Sequence, residues 1–448
     1  FNSLPIYTRA APHLASLRAI LPATLINQGF SPLFQPSSPL PPGINTLRET
    51  RSAGKVNRRC LSDGTELPML GYGLMRMPKV SAGGSTINRE EAAKLIDVAM
   101  KGGVNYFDTA YMYHGGDSER MVGDVLSKYP RESYYLADKM PLGYLRRKED
   151  VARIFQEQLE RTKAGYFDFY LMHNVSRHTW NVAKKFGVWD YMKALKAEGK
   201  VRHIGFSFHD TPELLQEVVD TLKNDGLEFA QIQLNYLDWD IYRSEEQYNI
   251  LTEAGIPVIV MEPLRGGVLA SINEAGRKVF ADAAPGSTPA QWAFRYVGSL
   301  PNVLVTLSGM TRMEHLVENI GTFTDFTPLS AAERRTLDAA LVAYRSGFGV
   351  PCTGCRYCMP CPEGVDIPRI FGLHNQYKAS GNRWMFESAY KNLTNQHDAS
   401  ACIYCELCVE QCPQHINIPE ELAGIHAEVS GSAALHPAVR EYLASLGE

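Results

Sequence analysis

Residues 201–236 read VRHIGFSFHDTPELLQEVVDTLKNDGLEFAQIQLNY. VRHIGFSF is short and rich in β-branched and aromatic residues, as a buried strand is. TPELLQEVVDTLKNDG spaces its Leu and Val residues along one helical face and stops at Gly. FAQIQLNY is a strand again. The same unit recurs on both sides. LGYGLMRM, VNYFDTA, SYYLADKM and FDFYLMHN come before it; PVIVMEPL and VLVTLSGM come after, with helical patterns from REEAAKLIDVAMKGG to RMEHLVENIGTF between and beyond. KGGVN and EAGIP each place Gly between a helix and the next strand, a common helix stop. Eight strands alternating with eight helices predict an α/β protein, a (β/α)8 TIM barrel. The alternative is a doubly wound sheet, which would carry a GxGxxG turn after its first strand; none is there. Ahead of the first strand, RRCLSDGTELPML puts a DG turn between apolar pieces and reads as a β-hairpin, placed to cap the barrel's opposite end.

The chain has 448 residues, an ordinary apolar fraction and a net charge of −4. That balance does not imply a nucleic-acid partner. No apolar run approaches the roughly 20 residues a membrane-spanning helix needs. Residues 1–58 stand apart: no acidic residue precedes Glu49, and FSPLFQPSSPLPPGIN is Pro- and Ser-rich without periodicity. This composition fits a disordered extension or fragment end, or else an acid-poor targeting peptide. The first reading leaves the protein cytoplasmic; the second sends it to an organelle.

Eight of the nine cysteines sit in two short stretches, CTGCRYCMPCP and CIYCELCVEQCP. Gaps this short suit metal ligation in a reducing compartment, not a disulfide framework. Cys402, Cys405, Cys408 and Cys412 follow C-x2-C-x2-C-x3-CP, the spacing of 4Fe–4S ferredoxins. Cys352, Cys355, Cys358 and Cys361 follow the same pattern with the last gap one residue short. Two 4Fe–4S clusters are expected; zinc, usually held by two CxxC pairs farther apart, is the alternative. CPEGVDIPRIF and CPQHINIPEEL form an internal repeat in which each motif runs through Pro into a helix. The ninth cysteine, Cys60, falls outside both sets.

Four polar residues fall at or near predicted strand ends: Asp108 and Tyr113 in FDTAYMY, Lys139 in LADKM, His173 in LMHN. Singly, each is more often a packed core residue. Together they suit carbonyl reduction, which needs a hydride on carbon and a proton on oxygen. Tyr113 is the candidate proton donor, with Lys139 expected to lower the phenol's pKa. Asp108 would hold Lys139 by a charge-assisted hydrogen bond, and His173 would orient the carbonyl.

Residues 59–325 resemble the aldo/keto reductase family through LSDGTELPMLGYG, FDTAYMYHGGDSE, YLADK, DFYLMHN, VRHIGFS and LVENI, in that order. The resemblance implies a barrel, NADPH or NADH bound in extended form, reduction of a small-molecule carbonyl substrate, and a catalytic tetrad of Asp108, Tyr113, Lys139 and His173. It places the nicotinamide against Ser207 and Gln233, or Gln231 on the same strand face, with Phe208 and Met261 where the family usually has Asn and an aromatic. It places the pyrophosphate against Pro263, Leu264 and Gly266, and the adenosine end against Gly309, Met310, His315 and Asn319, with Arg312 the nearest basic residue. Trp180, Trp189, Tyr236 and Trp239 are loop aromatics that either line an apolar pocket or pack.

Residues 351–448 resemble the helical two-cluster ferredoxin domain, with 326–350 as a linking helix. That resemblance implies that each motif's fourth cysteine serves the other cluster: Cys352, Cys355 and Cys358 with Cys412, and Cys402, Cys405 and Cys408 with Cys361. Three functions follow from the join: a carbonyl reductase carrying clusters, an iron–sulfur electron-transfer protein working with a redox protein partner, or an NAD(P)H-binding regulatory subunit.

Overall fold

The computed structural model describes residues 47–430, apart from residue 82 and segments 346–348, 351, 353–357, 394–396 and 413–415. Eight parallel strands close into a barrel: β1 Leu70–Gly73, β2 Tyr106–Asp108, β3 Tyr135–Pro141, β4 Phe167–Val175, β5 Val201–Phe208, β6 Phe229–Gln233, β7 Val258–Met261 and β8 Val303–Ser308. Each strand pairs with the next, and β8 closes on β1 through Thr306 against Leu70. The strands are buried almost throughout, which is why they read as apolar runs. Helices cover the outside, among them α1 Arg89–Lys101, α2 Asp117–Val125 and α3 Glu149–Thr162. No described helix is long and apolar enough to cross a membrane.

The hairpin forms as expected, Arg58–Cys60 against Glu66–Pro68, and gains a third strand, Glu49–Thr50. Of residues 47–58, assigned by composition to the N-terminal extension, Glu49–Thr50 and Arg58 lie in this sheet; residues 1–46 lie outside the described residues. Composition misses the strand because its stability comes from partners. Arg59 is the main one: buried, it donates to Gly298 O at 2.7 Å, Leu300 O at 3.0 Å and Val303 O at 2.5 Å, and pairs with Glu49 at 2.8 Å. This plugs the N-terminal end of the barrel at the start of β8. Removing the guanidinium leaves Glu49, itself partly exposed, without its partner and takes a buried donor from three carbonyls, of which Leu300 O keeps Val303 N. Arg59→Met is expected to lower unfolding free energy by about 3 kcal/mol. A urea titration showing less than about 1 kcal/mol would remove the plug from the account.

Helix Ala331–Arg345, expected as a linker, packs on the barrel. Leu337, Ala340, Leu341 and Tyr344 join the barrel's core, and Asn273 Nδ2 donates to Tyr344 O at 3.0 Å. The C-terminal region has a core of its own, built from Val365, Ile367, Ile370, Phe371, Phe386, Tyr390, Ile418 and Leu422. Its longer helices are Ile367–Ser380, Arg383–Lys391 and Ile418–Ser430. The two halves of the sequence repeat give the first and third of these. Both open on Ile-Pro, because Pro suits a first turn whose N–H has no partner anyway.

Candidate active site and cysteine cradle

Asp108 ends β2, Lys139 sits two residues before the end of β3, and His173 two before the end of β4. All three lie at the end of the barrel where parallel strands deliver chemistry. Tyr113 follows β2 in a tight turn. His114, Gly115 and Gly116 take φ of 54°, 64° and 87° there, a left-handed run in which two glycines avoid the strain an L side chain would meet. The turn carries the phenol back over the barrel mouth.

Lys139 Nζ donates to Asp108 Oδ1 at 2.5 Å, to Thr109 O at 2.7 Å and to Tyr113 Oη at 3.3 Å. Lys139 and Asp108 are buried, so the pair acts in a low dielectric. Asp108's other oxygen accepts from Gln231 Nε2 at 3.1 Å. The Tyr113 and His173 rings meet edge to face at 6.0 Å, and His173 Nδ1 is buried without a hydrogen-bond partner.

The electrostatics differ from the sequence expectation in one respect. Lys139 does pull the phenol's pKa down, but burial of Tyr113 is the larger effect and the net direction is up. Tyr113 therefore rests as a phenol, the form that can give a proton. Lys139 is held above its ordinary value although burial opposes this, because Asp108 favours the ammonium. Burial, then the Lys139 charge, drives His173 well below the usual histidine range, so the ring is neutral.

Among the positions aligned with cofactor binding, Pro263, Leu264, Gly266, Gly309, His315 and Asn319 line one cavity of about 240 Å³ beside the barrel mouth. Glu262, Arg265, Gly266 and Gly267 all have positive φ, which bends the loop after β7 around it. The other aligned positions lie away from this cavity. Met310 is fully buried and only its carbonyl is used, accepting from Tyr72 Oη at 2.5 Å. Gln233 turns to Asp238, at 2.8 Å, and Gln231 is the glutamine that faces the Lys139–Asp108 pair. Residues 231 and 233 share a strand face, so strand alternation cannot choose between them. Ser207 Oγ accepts from Asn174 N at 2.8 Å and keeps its proton for another acceptor, whereas Phe208 is buried and offers none. Trp180, Trp189, Tyr236 and Trp239 are all buried core residues. Arg312 is exposed, 3.7 Å from Glu314.

In the C-terminal region, Cys361, Cys402, Cys405 and Cys408 line a cavity of about 350 Å³, with Cys358 also in its wall. Cys352 and Cys412 do not line it, and Cys355 lies outside the described residues. Tyr404 and Glu406, both at φ 58°, wrap the chain around Cys405. Among the described residues no three His, Cys, Asp or Glu side chains converge on a single-ion site. Burial, then the neighbouring thiols, push Cys408 up to about 11 and Cys402 upward as well; iron would draw both to the thiolate.

The chain is a parallel (β/α)8 barrel with an ammonium, a phenol and a neutral imidazole at its mouth, and it carries a cysteine-rich helical appendage. The model of the Aldo/keto reductase family matches residues 69–342, and that of the 4Fe-4S dicluster domain matches residues 351–416. The chain belongs to the aldo/keto reductase family and carries a C-terminal 4Fe–4S domain; it is an oxidoreductase of that type. It is 26% identical to a probable aldo-keto reductase 1 of Glycine max, over 58% of this chain and 82% of that one. It is 26% identical to the NADH-specific methylglyoxal reductase of Escherichia coli, over 45% of this chain and 65% of that one. In fold it matches the aldo-keto reductase AKR11C1 of Bacillus halodurans, with a TM-score of 0.52 and 22% identity, over 63% of this chain and 95% of that one.

Proposed function

We propose that this enzyme reduces an aldehyde or ketone by hydride transfer, with Tyr113 as the proton donor. The contact that supports this most is Lys139 Nζ, 2.5 Å from Asp108 and 3.3 Å from Tyr113 Oη. A bound nicotinamide supplies the hydride. Tyr113 gives its proton to the carbonyl oxygen, and the Lys139 ammonium stabilises the phenolate left behind. Asp108, held in turn by Gln231, fixes the ammonium. Neutral His173 orients the carbonyl oxygen without competing as an acid. The Ser207 hydroxyl is the hydrogen-bonding group for the carboxamide.

The nucleotide is NADH in preference to NADPH. The cavity where the adenosine end would lie is lined by one guanidinium, Arg76, against two carboxylates, Glu262 and Glu318. Arg76 is already 3.4 Å from Glu262, and Glu318 is held by the Thr288 hydroxyl. A 2′-phosphate would find no free cation among these residues. The NADH specificity in the name of the Escherichia coli relative agrees. kcat/KM for NADH is expected to exceed that for NADPH by about 10-fold, one unpaired charge contact. Thr311→Arg, which adds a guanidinium to this cavity, should narrow or invert the ratio. A wild-type preference for NADPH would overturn the assignment.

Two 4Fe–4S clusters are the second part of the proposal. Cys402, Cys405, Cys408 and Cys361 hold one; Cys352, Cys355, Cys358 and Cys412 hold the other. A 4Fe–4S cluster moves one electron at a time, and a hydride carries two. Cys405 is exposed, which favours electron exchange with a redox partner at that edge. The test is made without oxygen on iron-loaded protein, following NADH at about 340 nm and the cluster at about 400 nm. Loss of NADH only when an aldehyde is added supports a self-contained reductase. Bleaching of the cluster band by NADH alone would show the halves to be coupled and favour electron transfer. No NADH consumption with any carbonyl would rule out the reductase.

A further inference from the structure

Behind the barrel wall, on the far side of β3 from the site, lies a buried cluster that the mechanism does not use. Side chains alternate along a strand, so while Lys139 points into the barrel, Asp138 points out between β3, α2 and α3. Asp138, Glu119 of α2 and Gln158 of α3 are all fully buried. Asp138 Oδ1 accepts from Lys139 N at 2.8 Å and from Gln158 Nε2 at 2.9 Å. Glu119 accepts from Gln158 at 3.1 Å through one oxygen and from Arg161 at 2.8 Å through the other. Asp138 Oδ2 has no donor at all, and the one Gln158 nitrogen that both carboxyl groups accept from holds them side by side. Two ionised carboxylates side by side in a buried site repel each other, and a buried acceptor without a donor is costly.

We propose that Asp138 carries a proton shared with Glu119, and that these two residues with Gln158 form a bracket that positions Lys139 and Tyr113. Arg161 favours ionised Glu119, so the proton rests on Asp138 and its O–H donates to Glu119. The other groups facing the pair are Tyr170 of β4, whose hydroxyl donates to Gln158 Oε1 at 2.6 Å, and Lys139, whose charge is turned toward Asp108. Burial, then the Glu119 charge, hold Asp138 well above the carboxylate range, in keeping with this.

The bracket reaches both proposed catalytic residues. Gln158 donates to Lys139 O at 3.0 Å, fixing the backbone that carries the ammonium. Arg161, paired to Glu119, lies 4.3 Å over the Tyr111 ring, and Tyr111 Oη donates to Glu157 at 2.8 Å. Tyr111 stands two residues before Tyr113 in the same turn. Asp138, Glu119 and Gln158 are thus positioning residues that set the Lys139–Tyr113 separation.

Two measurements test this, and only the second rests on the reductase reading. A carboxyl whose folded pKa is raised takes up a proton on folding, so stability falls as pH rises from about 4 toward that folded value. Unfolding the wild-type protein near pH 6 should release about one proton more than unfolding Asp138→Asn, whose amide donates to Glu119 without titrating. Equal proton release would overturn the shared proton. Asp138→Leu, similar in size but without hydrogen bonds, should lower kcat about 10-fold with NADH affinity unchanged, and Asp138→Asn should recover most of it. Full kcat in Asp138→Leu would overturn the positioning role even if the proton count holds. If Asp138→Leu does not fold, the kcat and alkaline pH limit of Asp138→Asn decide instead. The proposal expects that limit to move up, and an unmoved limit counts against it.

Discussion

Tyr113→Phe is expected to lower kcat for aldehyde reduction by about 10³-fold while NADH still binds. The ring and its edge-on contact with His173 remain; the one loss is the O–H. No other described side chain hydrogen-bonds Lys139 Nζ with a proton to give, since Asp108 and the Thr109 carbonyl are acceptors. Lys139→Met should cost a similar factor for a different reason, loss of the charge that stabilises the phenolate. It should also destabilise the fold, because Asp108 would be left a buried carboxylate with Gln231 as its only donor. Stopped-flow reduction together with a nucleotide-binding titration separates these effects. Because His173 is held neutral, kcat should show no titration near pH 6.5. If Tyr113→Phe retains more than a tenth of wild-type turnover, the phenol is not the acid, and the barrel is better read as a nucleotide-binding regulator.

Cys361→Ala is expected to remove the cluster assigned to Cys402, Cys405 and Cys408, although it lies about forty residues away in the other motif. Cys361 shares the 350 Å³ cavity with these three and with Cys358, and Cys412 does not line it. Cys361 is also among the thiols acting on both Cys402 and Cys408. Iron and sulfide analysis should give about half the wild-type content, and Cys412→Ala should remove the other half. Electron paramagnetic resonance of the reduced variants should show one cluster signal each, and different ones. Loss of the same signal in Cys361→Ala and in Cys352→Ala would mean that each motif serves its own cluster.

The alternation of strand and helix was legible because each strand is buried on both faces and each helix on one, so apolar spacing carries the fold directly. The two cysteine motifs were legible because metal ligation constrains spacing along the chain. The residues at strand ends could be named singly, since a Lys, Asp or His closing an apolar run is unusual. The choice between Gln231 and Gln233 was not legible, nor was the burial of Met310, since both depend on which neighbouring strand lies opposite.

Sequence by itself determined the barrel, the hairpin ahead of it, the cysteine-rich helical end and the set from which the site is drawn. Tertiary structure alone decided that Tyr113 stays a phenol, because burial around it outweighs the Lys139 charge and no sequence pattern reports burial at a loop. It decided that Cys361 and Cys358 share one cavity with three cysteines of the second motif, and that Gln158 bridges Asp138 and Glu119 across three elements. These are distances between residues far apart in the chain, and electrostatics is set by such distances and by the dielectric between them.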